Sequence, residues 1–426
     1  MIQNLISKEL FSQIKKFFQY GLGNIFAIFI PLIVSKKVLD ICGAEQFGKV
    51  SIALSVCFIL SIFIDFGSFV SPLKKISVNR CNIISLKKIF SVVFYSRIIL
   101  FFFTLLIGFF LIFFIPFFQG NFKLYLFSYT IFLGQFFSPI WVFQGLEDFK
   151  STAFFTAFSK VFYIILVFFF INYKEDYVYV NFLLGVSNVV VFLLANYFLF
   201  YKHKIILIKV SKKEILDYLK EDAHLLINNF SLASMSYAPI IFIGAFVGDF
   251  WAGIYKVLDV FITLLRNYLL LFFNSIYPKT CQLLSKSHAI GSKFILKYSI
   301  ISSTLLFFII CFSVFFKSYF LSYFLKENAG LVSNYFNWIG VSILFASFNT
   351  PFLQVLFYYQ KKFFYANIYL IVSIISVLLN YFLIKKFQIE GLIISLFITE
   401  FLLTFLFMIS TEFLIKNISL IRKQRN

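Results

Sequence analysis

The chain has 426 residues, of which 61% are hydrophobic and 13% charged, and its mean hydropathy is +0.93. This composition excludes a soluble globular domain and predicts a polytopic membrane protein. In a soluble chain the formal net charge of +20 would suggest nucleic-acid binding. Here the cations lie between apolar runs, so we attribute the charge to positively charged cytoplasmic loops and predict no nucleic-acid partner.

Twelve apolar runs are long enough to cross a hydrocarbon core of ~30 Å as helices, at ~1.5 Å per residue. A helix satisfies its own backbone groups in lipid, and the runs lack the period-two alternation of barrel strands. The predicted spans are residues 17–35, 47–70, 91–115, 124–145, 154–172, 180–201, 223–247, 254–277, 294–316, 331–358, 365–384 and 391–414. The predicted fold is therefore an all-α membrane protein with twelve transmembrane helices.

Lys and Arg residues are unevenly divided between the loops of the two sides. With the N-terminus inside, the cytoplasmic segments hold 24 of them and the opposite loops hold 8. Because positive loops stay in the cytoplasm, we predict that both termini are cytoplasmic. An even number of spans agrees with that topology.

A polar connection at residues 202–222 divides the spans into six and six. We predict an N-terminal lobe at 1–201, a cytoplasmic linker at 202–222 and a C-terminal lobe at 223–426. Two helical bundles with the substrate between them are a common transporter plan, which here implies a central cavity. The short outer loops leave no room for the outer domain of a membrane glycosyltransferase or polymerase.

The eighth span, 254–277, carries three charges within an apolar helix: Lys256, Asp259 and Arg266. They lie on one stripe with Thr263 and Asn267, opposite an apolar face. Three charges facing lipid would cost roughly 8–10 kcal/mol even on lenient insertion scales, so we expect the stripe to face a wet cavity or other helices. The alternative is that Asp259 simply neutralises Arg266 or Lys256 inside a packed bundle.

Other spans contain further candidate site residues. The polar candidates are Lys49, Arg97, Lys160, Asn228, Asn334, Asn337 and Glu400. Arg97 and Lys160 alternatively reach the headgroups, and Lys49 alternatively anchors the membrane interface. The Asn residues alternatively join helices by hydrogen bonds. Glu400 lies far from either helix end, and an unpaired carboxyl there would stay protonated, so we consider it and Asp259 for ion coupling.

No arrangement of residues predicts catalysis or a bound cofactor. The sequence lacks a local Ser–His–Asp set, a Walker loop and an Asp-rich phosphate motif. The five Cys are scattered without metal-ligand spacing. We therefore predict a protein that is not an enzyme, needs no metal or cofactor and draws any energy from a gradient.

Short motifs appear in one order along the first two thirds of the chain. They are Cys42–Gly48 (similar to LGxExYG), Asp65–Gly67 (DFG), Trp141–Glu147 (similar to WYFQGLE), Gly253–Lys256 (similar to VGxY) and Ile276–Lys279 (IYPK). In this pattern the chain resembles polysaccharide repeat-unit flippases (Wzx type) of the multidrug/oligosaccharidyl-lipid/polysaccharide exporter superfamily. We expect Asp65 and Glu147 to pair with loop cations such as Lys74 and Lys150.

The resemblance implies two six-helix lobes around a cavity that opens alternately to the two sides of a bacterial inner membrane. It implies a polyprenyl-pyrophosphate-linked oligosaccharide as substrate, with membrane lipid and other polysaccharide assembly proteins as further partners. Arg266 and Lys256 would then bind the pyrophosphate, with Lys49, Arg97 or Lys160 from the first lobe. A cation-coupled drug exporter of the same superfamily, a membrane glycosyltransferase or polymerase, and a non-transporting scaffold remain the alternatives.

Overall fold

The computed structural model describes residues 30–359 and 362–423, and every regular element in those ranges is helical. Helix α1 covers residues 30–42 of the described part. The remaining helices are α2 (Ala44–Asp65), α3 (Ser71–Val78), α4 (Ile83–Phe114), α5 (Pro116–Gln119), α6 (Phe122–Ser128), α7 (Thr130–Phe137), α8 (Ile140–Gly145), α9 (Phe149–Phe170), α10 (Val180–His203), α11 (Lys212–Phe246), α12 (Asp249–Lys286), α13 (His288–Phe315), α14 (Lys317–Leu325), α15 (Ala329–Tyr358) and α16 (Lys362–Lys423). Two 3-10 turns, Lys174–Tyr179 and Lys326–Asn328, precede α10 and α15.

Ten segments within the described ranges are long and apolar enough to cross a membrane. The chain is therefore an all-helical, multi-span membrane protein, as its composition predicts. The predicted first span, 17–35, lies mostly outside the described residues. The count of twelve spans stays a prediction.

The last apolar segment, Ala366–Glu412, is divided by a backbone break at Gln388, where φ is 55° and ψ is −129°. Nearby, a Cβ on Gly391 would collide with the backbone of Leu383. Only glycine allows the two arms of α16, 362–387 and 389–423, to approach so closely. The predicted spans 365–384 and 391–414 lie on the two sides of this break.

The predicted continuous helix 124–145 is wrong in detail, because the structure interrupts it between α7 and α8. Ser138 is extended, with φ −66° and ψ 111°, and Pro139 follows it. Proline lacks a backbone N–H and disfavours a helical conformation for the residue before it. The break leaves backbone carbonyl groups without helical partners inside the apolar segment Phe122–Gly145.

The chain forms two compact units that divide between Phe230 and Ser231, within α11. The core of the first unit is built around Trp141, Val142 and Phe143, which are almost fully buried. In the second unit, α12 packs against α13 and α15, and α15 packs against α16. There the rings of Phe261 and Phe336 stack with centroids 4.4 Å apart.

Candidate functional site

Helix α12 turns its apolar face into the second unit and leaves its polar stripe accessible. Its buried apolar residues include Leu258, Phe261, Ile262, Leu265 and Leu269. On the opposite side, Lys256, Asp259, Arg266 and Asn267 are half-buried and Thr263 is exposed. Because charges facing lipid are costly, this stripe is suited to a polar environment.

Two of the charges on α12 neutralise each other within one turn of the helix. The Lys256 ammonium donates a hydrogen bond to Asp259 Oδ2 at 2.7 Å. Both side chains keep a small exposed fraction, 18% and 16%. Asp259 therefore pairs with Lys256, one of the two partners that the sequence leaves open.

Arg266 pairs with Glu400, which lies 134 positions later in the chain. Arg266 Nη2 donates to Glu400 Oε1 at 2.7 Å, and Asn349 Nδ2 donates to Glu400 Oε2 at 3.0 Å. The Glu400 side chain is 6% exposed, whereas that of Arg266 is 38% exposed. Glu400 is thus held as an acceptor on both oxygens, and Arg266 still presents donors to a neighbouring group.

These two pairs change the charge predicted for the stripe. Lys256 and Arg266 contribute two positive charges, and Asp259 and Glu400 contribute two negative charges. The four groups together are formally neutral rather than basic. An anion at this position must compete with a carboxylate for the arginine.

The Arg97 side chain binds the backbone at the helix break before Pro139 in the first unit. Its Nη1 donates to the Ser138 carbonyl at 2.7 Å, and its Nη2 lies 3.3 Å from Asp65 Oδ1. The guanidinium also lies over the Trp141 ring, 5.8 Å from its centroid. A buried arginine that donates to a carbonyl group without a helical partner and to a carboxylate stabilises the fold. The geometry therefore favours this structural role over the predicted contact with pyrophosphate.

Asn196 completes the same arrangement by donating to the Phe137 carbonyl at 2.6 Å. Two motifs of the sequence thus meet at Arg97, since Asp65 belongs to the DFG motif and Trp141 to the WVFQGLE motif. The expected pairing of Asp65 with Lys74 is replaced by Arg97. Glu147 pairs with Arg80 at 2.9 Å rather than with Lys150.

Lys49 and Lys160 differ in how their charge is balanced. Lys49 forms an ion pair with Glu45 at 2.8 Å, one turn earlier in α2. Lys160 lies half-buried in α9, and no hydrogen bond or ion pair reaches it from the residues that the structure describes. Its flank of α9 carries the small residues Ala153 and Ala157, away from the exposed Phe154 and Phe158. Of the five predicted cations, Lys160 is therefore the one without a described counter-charge.

The predicted asparagines fall in different places. Asn228 lies in the first unit and its buried Oδ1 has no hydrogen-bond partner among the described residues. Asn337 Oδ1 accepts a hydrogen bond from Lys317 at 3.1 Å. Asn334 lines a cleft between α15 and α16. Within the second unit, Asn334 and Asn337 thus do not join the Arg266 cluster directly.

Asn349 belongs to the site through its hydrogen bond to Glu400, although it is not among the candidates taken from the sequence. An Asn within an apolar span is a signal that could have singled it out. The pairing of Arg266 with Glu400 had no local signal, because the two residues meet only through the packing of the second unit.

The family model described as "Polysaccharide biosynthesis protein" matches residues 14–284, well over half of the chain. The chain belongs to this family. Among curated proteins, an Escherichia coli (strain K12) protein described as "Putative O-antigen transporter" is 22% identical over 250 residues, which cover 59% of this chain. The aligned region spans 60% of the length of that relative.

Solved structures of a transporter and a flippase show the same fold. The chain aligns with a structure described as "Inward-facing conformation of a multidrug resistance MATE family transporter of the MOP superfamily" at a TM-score of 0.69 and 14% identity, covering 91% of this chain and 95% of that chain. It aligns with "Lipid II flippase MurJ, inward closed conformation" at a TM-score of 0.68 and 15% identity, covering 95% and 87%. Together with the family match, these findings confirm the resemblance inferred from the motifs.

Proposed function

We propose that the protein flips a polyprenyl-pyrophosphate-linked oligosaccharide repeat unit from the cytoplasmic to the outer face of a bacterial inner membrane, for O-antigen or capsule assembly. Membership of the polysaccharide biosynthesis family and the O-antigen relative support this substrate class. The MurJ-like fold supports a flippase that works by alternating access. The single observation that carries the proposal is Arg266, a partly exposed guanidinium on the polar stripe of α12.

The head of such a substrate requires a partner for its charge inside the membrane. A pyrophosphate bears about two negative charges, and transferring it unpaired into a medium of low dielectric constant is strongly unfavourable. Arg266 gives one terminal nitrogen to Glu400 and keeps its other N–H donors for a phosphate oxygen. In our proposal the polyprenyl tail remains in lipid while this group receives the head.

Glu400 gives the site two states. While its carboxylate is charged, it holds Arg266, and a phosphate must compete with it for the guanidinium. When it takes up a proton, Arg266 loses its counter-charge and binds the phosphate instead. Asn349 remains as a hydrogen-bonding partner of the carboxyl group in either state. We infer that uptake and release of this proton couple a gradient to binding and release of the head, whereas Asp259 stays paired with Lys256.

Lys160 is the second cation in the proposal. Its ammonium is half-buried on a flank of small side chains and lacks a counter-charge among the described residues. A bound anion would supply that charge. Lys49 is already paired with Glu45, and Lys256 is already paired with Asp259. We therefore do not assign either of them as a primary ligand of the pyrophosphate.

We further propose the full topology. Twelve helices form two six-helix lobes, residues 1–201 and 223–426, joined by a linker at 202–222, with both termini in the cytoplasm. The ten apolar segments, the break at Gln388 and the helical residues 30–42 support that count. The division of charged loops in the sequence supports the orientation. The protein is then a transporter rather than an enzyme.

A cation-coupled drug exporter of the same superfamily is the second candidate. The formal neutrality of the four paired charges favours it more than a basic stripe would, and the MATE-like fold is compatible with it. The family match to polysaccharide biosynthesis proteins decides for the flippase.

Purified protein in liposomes separates these functions. We expect polyprenyl-pyrophosphate-linked oligosaccharide placed in the inner leaflet to become accessible to an external glycosidase only when the protein is present. A hydrophilic organic cation that does not cross protein-free liposomes serves as the control cargo. Transport of the cation without movement of the oligosaccharide would establish the exporter, and movement of neither would leave a scaffold.

A further inference from the structure

We propose that a cleft in the second unit, between the beginning of α15 and the second arm of α16, binds a sugar ring. The cleft has a volume of about 510 Å³, which is within the range of small-molecule sites. Its lining includes Asn334, Tyr335 and Trp338 from α15, and Glu390 and Phe397 from α16. None of the motifs or predicted cations lies in it.

Two aromatic rings form one wall of the cleft. Trp338 is 57% exposed and meets Phe397 edge to face, with ring centroids 6.3 Å apart. An exposed tryptophan ring offers a large, rigid apolar surface with one hydrogen-bond donor at its edge. The apolar C–H face of a pyranose ring packs on such a surface without losing hydrogen bonds of its hydroxyl groups.

The polar groups of the cleft are available to those hydroxyl groups. Within the described residues, no hydrogen bond or ion pair engages the side chains of Asn334, Tyr335 or Glu390. The amide and the phenol both donate and accept, and the carboxylate accepts. A sugar ring, whose hydroxyl groups donate and accept at adjacent carbons, matches this set.

The charge of the cleft excludes the head of the proposed substrate from it. Among its described lining residues only Glu390 is charged, so an anion would be repelled. An acyl chain would leave Glu390 and Asn334 facing hydrocarbon, which is costly. An organic cation would use Glu390 and the aromatic faces but not the Asn334 amide. The sugar uses all of these groups.

The cleft and the Arg266 cluster share two helices. Glu390 precedes Glu400 by ten residues on the second arm of α16, which corresponds to ~15 Å along a helix. On α15, Asn334 precedes Asn349 by fifteen residues, which corresponds to ~22 Å along a helix. In our proposal, a lipid-linked oligosaccharide whose pyrophosphate lies at Arg266 extends its sugars toward the cleft. The inference rests on the proposed function for the source of the sugar, but the binding site is separate.

The direct test is equilibrium binding of a labelled oligosaccharide that has no phosphate. The probe is the saccharide released by mild acid from the lipid-linked pool of the cells that make this protein. We expect the purified protein to bind it, and Trp338→Ala to weaken binding about tenfold. Glu390→Gln should weaken it severalfold, because a charged acceptor becomes neutral. Trp338→Phe, which keeps a ring, should retain most of the affinity.

Matched controls lie in the same unit outside the cleft. Tyr319→Ala removes an exposed ring of α14, and Glu327→Gln neutralises an exposed carboxylate. Both should bind like the original protein. The proposal is overturned if the native protein does not bind the saccharide, if the cleft variants match the controls, or if only tetraphenylphosphonium binds in a Glu390-dependent manner.

The liposome assay keeps this result distinct from the proposed function. A native protein that flips the lipid-linked substrate but fails the binding test disproves the sugar cleft alone. A native protein that binds the saccharide through Trp338 and Glu390 but moves no lipid-linked substrate disproves the flippase alone.

Discussion

Arg266 Nη2 lies 2.7 Å from Glu400 Oε1 and so joins the polar stripe of α12 to the buried middle of α16. The two partners are unequal, since the carboxylate is almost fully buried and the guanidinium is partly exposed. Removing one partner therefore has a different effect from removing the other. The pair allows stability and transport to be measured as separate consequences.

Arg266→Ala should abolish translocation and also lower stability. The substitution leaves the Glu400 carboxylate buried with only Asn349 as a partner, and breaking a buried pair in this way costs roughly 3–5 kcal/mol. The double variant Arg266→Ala/Glu400→Gln should recover most of the thermal stability but no transport. Arg266→Lys should recover transport in part, because an ammonium is a point charge without the planar fork of arginine.

Melting temperature in detergent and flipping in liposomes measure these effects on the same preparations. Full transport by the Arg266→Ala variant would remove this residue from the binding site. Equal stability of the single and double variants would show that Glu400 is not left charged.

Glu400→Gln should make transport insensitive to a proton gradient. Glutamine keeps the size of the side chain and one oxygen that accepts from Arg266, but it cannot exchange a proton. Its NH2 group donates, so Asn349 must turn its amide oxygen toward it to keep the second hydrogen bond. We expect the variant to bind substrate in liposomes and to flip it at a rate that no longer changes when a pH difference is imposed. Asp259→Asn is the control, since its partner Lys256 lies on its own helix. A gradient response that persists in Glu400→Gln and disappears in Asp259→Asn would move the coupling to Asp259.

The helical class and most of the span positions could be predicted because they depend on local hydropathy. A run of about twenty apolar residues has no alternative to a helix in lipid. The break at Pro139 was missed because a proline in a transmembrane helix is compatible with either a kink or an interruption. Which one occurs depends on partners for the freed carbonyl groups, and those partners, Arg97 and Asn196, come from other helices.

The part of the candidate site that lies on α12 could be predicted from the sequence, but its contact with α16 could not. The spacing of Lys256, Asp259 and Arg266 on α12 is visible in the sequence as a polar stripe. The sequence also indicates Glu400 as an isolated intramembrane carboxyl. Lys256 and Asp259 lie three positions apart on α12, so the sequence contains their pairing as one of two alternatives. That Arg266 meets Glu400 depends on how α12 and α16 pack, and no pattern in a single sequence contains that distance.

Arg97→Met and Lys160→Met should have opposite effects on stability, although each removes one cation from the first unit. Arg97→Met leaves the Ser138 carbonyl and Asp65 without their partner, so we expect a loss of roughly 3–5 kcal/mol in stability. Lys160→Met removes a charge with no described counter-charge and should leave the melting temperature unchanged or higher. Its expected defect is weaker binding of the lipid-linked substrate.

Thermal unfolding of the two variants and substrate binding by each decide the assignment. Adding Pro139→Ala to Arg97→Met should recover part of the stability, because a repaired helix satisfies more of its own carbonyl groups. A stable Arg97→Met protein that has lost only substrate binding would return Arg97 to the pyrophosphate site.

The lowered pKa of Asp148, in the loop between α8 and α9, predicts how acid changes the stability of the protein. Burial opposes its ionisation, but hydrogen bonds from Lys202, Ser151 and His203 outweigh that effect and lower the pKa of Asp148 to about 2, from an ordinary value of 3.8. Because the folded pKa is below the unfolded one, the stabilisation is complete above pH 3.8 and is lost as the pH falls toward about 2.

Asp148→Asn provides the measurement. The difference in melting temperature between the native protein and this variant should be constant from pH 7 to about pH 5 and shrink below pH 4. Asp176→Asn, in the 3-10 turn Lys174–Tyr179 before α10, is an acidic control measured over the same range. A difference that stays constant down to pH 3 would contradict the depressed pKa of Asp148.

Gly185→Ala should separate α10 from α7. A Cβ at this position would collide with both the side chain and the backbone of Thr130, and a Cβ on Gly134 of α7 would collide with the side chain of Asn188 of α10. Small residues permit this approach of two membrane helices, and extra atoms in a packed interface cost about 1–3 kcal/mol. Gly120→Ala is the control, because nothing lies within 4 Å of the added methyl group. We expect a lower melting temperature for Gly185→Ala and none of that loss for Gly120→Ala, and equal values would mean that α7 and α10 are not packed as the structure places them.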